Sequence, residues 1–361
     1  MTFPPLRAWL WPALLACLFF VALAVRAGSA DGFRYLQPIH AGSRFLQPAV
    51  LLAGQRPLPN AGYDGQFYFA IAQDPLLARP ETAASLDGSF RYRRILYPLL
   101  AWAVSGGQRA LVPFALLAVN VVACCGIAVL LAWYAARRGV NPWSSLVVSA
   151  FPGLWIPLLF DLTEPTHLAL LAGGVIAGST GLLLLSALAK ETAAVVLLVQ
   201  AGMAAWSRRW RLLLWTVGAV AALAAWSLFA QLAARGARQG ALAFAVLDPP
   251  GAPFLVLAKD LRGNPANFVL AGLAVLVCLL ALGRLLQARD RGAWAAAAYA
   301  VAVLASGADV WVALEGYFRI MAGVVVLVYV SWCAARDAIG TATLATAGLV
   351  DLFGLAALFV R

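Results

Sequence analysis

Asp64 stands between Tyr63 and Gly65 in the stretch Ala61–Pro75, AGYDGQFYFAIAQDP. A carboxylate set like this can take a proton from an attacking hydroxyl as a general base, or it can close a hydrated Asx-turn. Gly65 would let a ligand approach the backbone closely. Tyr63, Phe67 and Tyr68 offer ring faces to a sugar or an isoprenoid, and Gln66 lies among them as a further polar candidate.

Other ionisable residues follow along the chain. Asp161 and Glu164 lie three apart before Pro165. They read either as an N-cap with a helix-dipole partner or as the lining of a pocket that binds acceptor hydroxyls or a divalent ion. His167 either faces the same cavity or packs with its nitrogens satisfied. Lys190 and Glu191 interrupt an apolar run. Charges there cost roughly 2.5–3.5 kcal/mol each on insertion scales, so they normally face a cavity. Lys190 suits a phosphate as a point charge; the alternative is an internal Lys–Glu pair. Arg91, Arg93 and Arg94, with the more distant Arg319, are candidates to clamp a lipid-linked phosphate or to snorkel to headgroups.

The elements that must position these groups are apolar. The chain has 361 residues, 63% hydrophobic and 11% charged, with a mean hydropathy of +0.87. Soluble domains carry about 25% charged residues. The composition therefore predicts an all-α polytopic membrane bundle, a single domain of about ten or eleven membrane helices, some short or re-entrant. The net charge of +11 is not a nucleic-acid signal here, because the basic residues gather at the ends of apolar runs, where they orient spans and meet anionic lipid. Only Lys190 and Lys259 of the 26 basic residues are lysine. The five cysteines all lie in apolar runs and read as packing residues. Two histidines rule out a histidine-rich metal centre. The chain has no P-loop, no Rossmann glycine fingerprint and no Ser/His/Asp order.

Spans are expected at Trp9–Val25, as an uncleaved first helix, and at Ala110–Ala135, Pro142–Phe160, Leu212–Leu232, Asn267–Leu286, Ala293–Ala305, Arg319–Ala334 and Thr341–Val360. Residues 27–94 form a long polar connection, long enough to suggest function. Within it Gly65–Ala72 reads as a short interfacial helix. Ile95–Val104 is too short to cross a ~30 Å core and reads as juxtamembrane. Thr166–Gly178 is apolar but short, and Leu182–Trp206 breaks into two helices at Lys190-Glu191. A second polar loop is expected at Ala233–Ala266. With the N-terminus cytoplasmic, the short loops bearing Arg137/Arg138, Arg208/Arg209/Arg211, Arg289/Arg291 and Arg336 all fall inside. Of the 15 acids, all but Asp290, Asp337 and Asp351 then gather on the outer side, where the chemistry is expected.

Tyr63-Asp64-Gly65, Tyr68, Ile71-Ala72 and then Arg93-Arg94-Ile95-Leu96-Tyr97-Pro98-Leu99-Leu100 resemble the first outer loop of GT-C glycosyltransferases. Within that superfamily they are most similar to the second GPI mannosyltransferase (PIG-V-like) group and its bacterial relatives. Tyr63 stands where tryptophan is usual, and Arg94-Ile95-Leu96 replaces an aromatic-Pro lead-in. Asp161–Pro165 and Lys190-Glu191-Thr192 extend the resemblance over roughly the first 200 residues, a catalytic module to 206 followed by variable C-terminal helices. The resemblance implies an inverting transfer of a hexose, mannose among the candidates, from a polyprenyl-phosphate sugar. The acceptor would be a hydroxyl of a glycolipid, glycan or protein outside the cytoplasm, in the manner of a bacterial inner-membrane enzyme. It puts Asp64 in the position of the catalytic base and Tyr97 in the flanking substrate segment; it names no required cofactor and leaves a divalent metal open. A secondary transporter or lipid flippase, with Lys190-Glu191 as its gating pair, is the other class the residues allow; a non-catalytic assembly subunit is a third, weaker option.

Overall fold

The computed structural model describes residues 5–237, 252–312 and 314–360. Every regular element among the described residues is a helix, and one isolated bridge joins Gly42 and Leu58 in the long loop. Among the described residues six helices are long and apolar enough to cross a membrane: Leu6–Ser29, Arg109–Arg137, Trp210–Ala233, Asn267–Leu286, Gly316–Ala335 and Ala338–Leu355. A seventh span is available if the bent pair Pro142–Ala150 and Pro152–Leu159 counts as one. Shorter apolar helices at Thr180–Ala189, Glu191–Trp206 and Arg291–Leu304 accompany these spans, because several apolar runs are broken into shorter pieces.

Each break has a local cause. Phe151 precedes Pro152 and is extended (φ −61°, ψ 126°), as the proline ring forces on the residue before it, and the two helices meet at 51°. Glu164–Ala177 stops at Gly178 in the left-handed region (φ 67°), a helix end that glycine adopts without strain. Ser179 then caps Thr180–Ala189 by accepting from the Leu182 N–H. That helix ends at Lys190, whose extended backbone (φ −155°, ψ 124°) separates it from the helix Ala194–Trp206. The interruption expected at Lys190-Glu191 is therefore present. The second polar loop, by contrast, contains a helix at Ala252–Gly263; residues 238–251 of it lie outside the described residues.

A large apolar core runs through the bundle, with Phe20, Leu131, Leu158, Leu171, Tyr299 and Val328 all buried in it. Two smaller cores lie under the 31–94 connection. One joins Tyr68, Phe69 and Tyr97 to Leu116 and Leu162; the other joins Phe67, Ile71 and Tyr92 to Ala230 on the Trp210–Ala233 helix. The long connection is thus a packed cap on one end of the bundle. Its Gly65–Gln73 helix is buried at all nine positions. This corrects the expectation of a helix lying in an interface with one exposed face. The cysteines are free thiols, three buried and two partly buried.

Candidate functional site

Asp64 occupies the N-cap position of the Gly65–Gln73 helix, yet its side chain caps nothing. Its carboxylate is held from two sides instead. Oδ1 accepts from Arg91 Nη2 at 2.8 Å, and Oδ2 accepts from Arg319 Nη2 at 3.2 Å. Arg91 also grips Asp87 through Nε and Nη2, both at 2.9 Å, and its guanidinium lies 4.6 Å from the ring centroids of Phe67 and Phe90. Arg319 donates to the Tyr63 hydroxyl at 3.1 Å and to Glu164 Oε1 at 2.8 Å. Lys190 Nζ donates to the same Glu164 oxygen at 2.8 Å. Glu191 turns the other way, receiving Arg94 Nη2 at 2.5 Å and Nε at 2.8 Å. Arg94 also donates to the Tyr68 hydroxyl at 3.1 Å.

The result is a cluster of four carboxylates (Asp64, Asp87, Glu164 and Glu191) with four cations (Arg91, Arg94, Lys190 and Arg319). Residues up to 255 positions apart meet in it. It is graded in depth. The side chains of Glu164 and Lys190 are 1% and 5% exposed, whereas Asp64 and Asp87 are each 22% exposed and Glu191 41%. The acids therefore form the open edge and the Lys190–Glu164 pair the floor. Burial raises the Asp64 pKa, but Arg91 and then Arg319 outweigh it, so the carboxyl is held well below the usual carboxylate range. Burial likewise raises the Tyr63 hydroxyl pKa, and Arg319 only partly offsets it.

Several expected binding residues serve the frame rather than an open surface. Gly65 is needed for close packing against protein: a Cβ there would clash with the Phe160 carbonyl oxygen. The Gln66 side chain is fully buried, accepting from Gly42 N–H at 2.9 Å and donating to the Ala61 carbonyl at 2.7 Å. Tyr97 donates to the Leu116 carbonyl (3.1 Å), accepts from Asn120 (2.9 Å) and packs edge-on against Tyr68. His167 does not line the open edge. It is buried, with Nδ1 2.9 Å from the Ser186 hydroxyl and Nε2 3.1 Å from that of Tyr299, which reaches Thr192 at 2.8 Å. Arg93 stands outside the cluster; its carbonyl accepts from the Trp226 indole and its Nε is buried without a partner. Lys190 and Glu191, adjacent in sequence, take different partners, so they do not form the internal pair considered from sequence.

Asp161 is also outside the ion-pair network. It is fully buried in a left-handed conformation (φ 49°), and neither carboxylate oxygen has a partner among the described residues. The hydroxyls of Thr163 and Thr166 and Glu164 Oε2 are likewise buried and unpartnered. This segment thus concentrates unused hydrogen-bond acceptors beside the cluster. Among the described residues no three His, Cys, Asp or Glu side chains come close enough to form a metal-binding group.

Asp87 was the residue that sequence reading missed. Its signal was the i,i+4 spacing to Arg91, in a segment read as loop. The Ser186, Thr192 and Tyr299 hydroxyls around His167 had no such local signal.

No protein-family model, curated protein or solved structure matches the chain. The class that the fold defines is a polytopic helical membrane protein. Its particular feature is a compact ionic cluster where the 31–94 cap meets the bundle.

Proposed function

We propose that this chain is a GT-C-type membrane glycosyltransferase. It moves a hexose from a polyprenyl-phosphate donor to a hydroxyl outside the cytoplasm, with Asp64 as the general base. The observation that carries this reading is the double hold on Asp64, a partly open carboxylate flanked by Arg91 and Arg319 on an acid-lined edge. The resemblance of residues 63–100 to GT-C outer loops supports the same reaction type.

In the reaction, the acceptor oxygen forms a bond to the anomeric carbon while its proton passes to Asp64. The bond from that carbon to the phosphate oxygen breaks, and its electron pair leaves with the lipid phosphate. Arg91 and Arg319 suit that phosphate because guanidinium groups bind it bidentately; Lys190 adds charge from below. The formal charges of the cluster balance in the ligand-free chain, so a donor phosphate must compete with the carboxylates for their arginines. Occupation by donor would therefore loosen the arginines from Asp64 and raise its basicity when the acceptor arrives. The Asp87 and Glu191 carboxylates at the open edge, 22% and 41% exposed, would accept from sugar or acceptor hydroxyls.

The test is a transfer assay with purified protein in nanodiscs, a polyprenyl-phosphate hexose and a range of glycan and glycolipid acceptors. Release of polyprenyl phosphate matched one to one by glycosylated acceptor is the expected outcome. Flux of intact lipid-linked sugar across liposomes without that release would replace the enzyme with a transporter.

A further inference from the structure

A small pocket of about 130 Å³ lies at the end of the bundle away from the cap, lined by Gln200, Met203, Ser207, Arg209, Leu212 and Arg291. The turn between the Ala194–Trp206 and Trp210–Ala233 helices forms part of its wall. Arg208 takes the left-handed conformation there (φ 54°), and the Arg209 N–H returns to the Ala204 carbonyl at 2.8 Å. This closure of the helix end fixes where Arg209 stands. Arg291 comes from another element, as the first residue of the Arg291–Leu304 helix.

The charge in this pocket is unbalanced. Neither arginine forms an ion pair among the described residues, and no Asp or Glu lines the pocket. Asp290, the acid next to Arg291, is engaged elsewhere. Its Oδ1 accepts from the Gly292 and Ala293 N–H groups and its Oδ2 from the Ser331 hydroxyl. Gln200 adds an independent requirement. It is buried, and its Nε2 donates to the Thr180 and Thr216 hydroxyls at 2.6 and 3.1 Å. The Thr216 hydroxyl gives its own proton to the Leu212 carbonyl, so the amide nitrogen must be the atom that faces it. Gln200 Oε1 is left buried without a partner among the described residues, and a buried acceptor calls for a donor.

The position of the pocket narrows what can fill it. Trp226, on the helix that starts at Trp210, donates to the Arg93 carbonyl in the cap. Trp210 and Trp226 are about 24 Å apart at ~1.5 Å per residue, close to the ~30 Å of a hydrocarbon core. Trp206 and Trp210 flank the turn and are exposed, as tryptophans at headgroup level are. The pocket and the ionic cluster therefore face opposite membrane surfaces.

We propose that this pocket binds a phosphate ester carrying a free hydroxyl, the headgroup chemistry of phosphatidylglycerol. The phosphate meets Arg209 and Arg291, and the hydroxyl donates to Gln200 Oε1. At about 130 Å³ the pocket is smaller than an ordinary small-molecule site of roughly 300–1,000 Å³. It takes a headgroup and leaves the acyl chains in the bilayer. The exposed tryptophans favour a lipid over a soluble ester as the source. Occupation joins the hairpin of Ala194–Trp206 and Trp210–Ala233 to the Arg291–Leu304 helix, whatever reaction the ionic cluster performs.

The experiment is native mass spectrometry of the delipidated full chain in detergent and phosphate-free buffer, titrated with phosphatidylglycerol. The first phosphatidylglycerol should bind the Arg209→Gln/Arg291→Gln variant about tenfold more weakly than wild type. Arg209→Gln alone, at an exposed turn, should weaken it in the same direction, and lipid-free thermal midpoints report that both variants are folded. Arg208→Gln/Arg211→Gln removes the same charge from outside the pocket and should leave the affinity unchanged. Equal weakening in the two double variants overturns the proposal, because binding would then follow diffuse surface charge. Phosphatidylmethanol, an anionic phosphodiester without a hydroxyl, should bind wild type about threefold more weakly than phosphatidylglycerol; equal affinity overturns the proposal as well. Glycerophosphoglycerol, the same headgroup without tails, separates the sources. Failure to displace the lipid at equal concentration assigns the site to a membrane headgroup, and displacement assigns it to a soluble ester of the same chemistry.

Discussion

At the scale of single residues, Asp64 can be removed without dismantling its surroundings. Arg91 keeps Asp87 and Arg319 keeps Glu164 when the Asp64 charge is gone. Asp64→Asn should therefore leave the thermal midpoint within a few degrees of wild type while lowering kcat by about 10²–10⁴-fold, the usual worth of a general base. A variant with near-normal turnover would remove Asp64 from the chemistry. The arginines also set a pH dependence. A carboxylate with a depressed folded-state pKa stabilises the fold above the ordinary carboxylate pKa, and that contribution is lost as pH falls through the folded value. Asp64 thus costs no stability between neutral pH and about pH 4. If donor phosphate draws the arginines away, the acid limb of kcat should lie about one pH unit or more above that of kcat/KM, since the first reports the donor-bound enzyme and the second the free one. Coincident limbs would show that the guanidinium hold persists through turnover.

At the scale of elements, the Gly65–Gln73 helix shows how far a local pattern reaches. Its residues, GQFYFAIAQ, announce a short aromatic helix, and the structure forms one. The sequence pattern suggested an interfacial position, but burial depends on what covers the other faces, here Ile39, Leu46, Tyr97 and Leu116 from distant segments. Close contact with the Phe160 carbonyl makes the helix sensitive at its first position. Gly65→Ala should cost about 1–3 kcal/mol, the range of core overpacking, seen as a lowered thermal midpoint with a parallel loss of folded, active protein. An unchanged midpoint would mean that the cap can shift away from the Pro152–Leu159 helix. The break at Lys190 was legible because two charges in an apolar run need a polar surrounding. Their partners were not, since Glu164 lies 26 residues away and Arg94 lies 97 away.

At the scale of the whole molecule, two buried ion pairs bracket the bundle and separate stability from function. Lys190–Glu164 lies at the end covered by the 31–94 cap. Arg284–Asp337 lies at the other, with Arg284 fully buried and its Nη2 2.6 Å from the carboxylate. Removing one member of a buried pair strands the other charge, at about 3–5 kcal/mol. Glu164→Ala and Asp337→Ala should thus lower the thermal midpoint by similar amounts. Only the first should reduce turnover per folded molecule, measured by normalising activity to the folded fraction. Equal loss of specific activity in both would make the ionic cluster a structural device.

What the sequence determined by itself is the class of the protein and the inventory of its chemistry. Hydropathy is a sum over neighbouring residues, so spans such as Trp210–Ala233 and Ala338–Val360 fall within a few residues of their expected bounds, and Asp64, Glu164, Lys190, Glu191 and Arg319 stood out as ionisable groups in apolar company. Tertiary structure decided which of them meet. It sent Lys190 and Glu191 to different partners, left Asp161 without one, drew His167 into the core and placed Arg319 on Asp64 across 255 residues. The reason is that an ion pair acts over a few ångströms of space, a distance that emerges only when helices remote in sequence have packed.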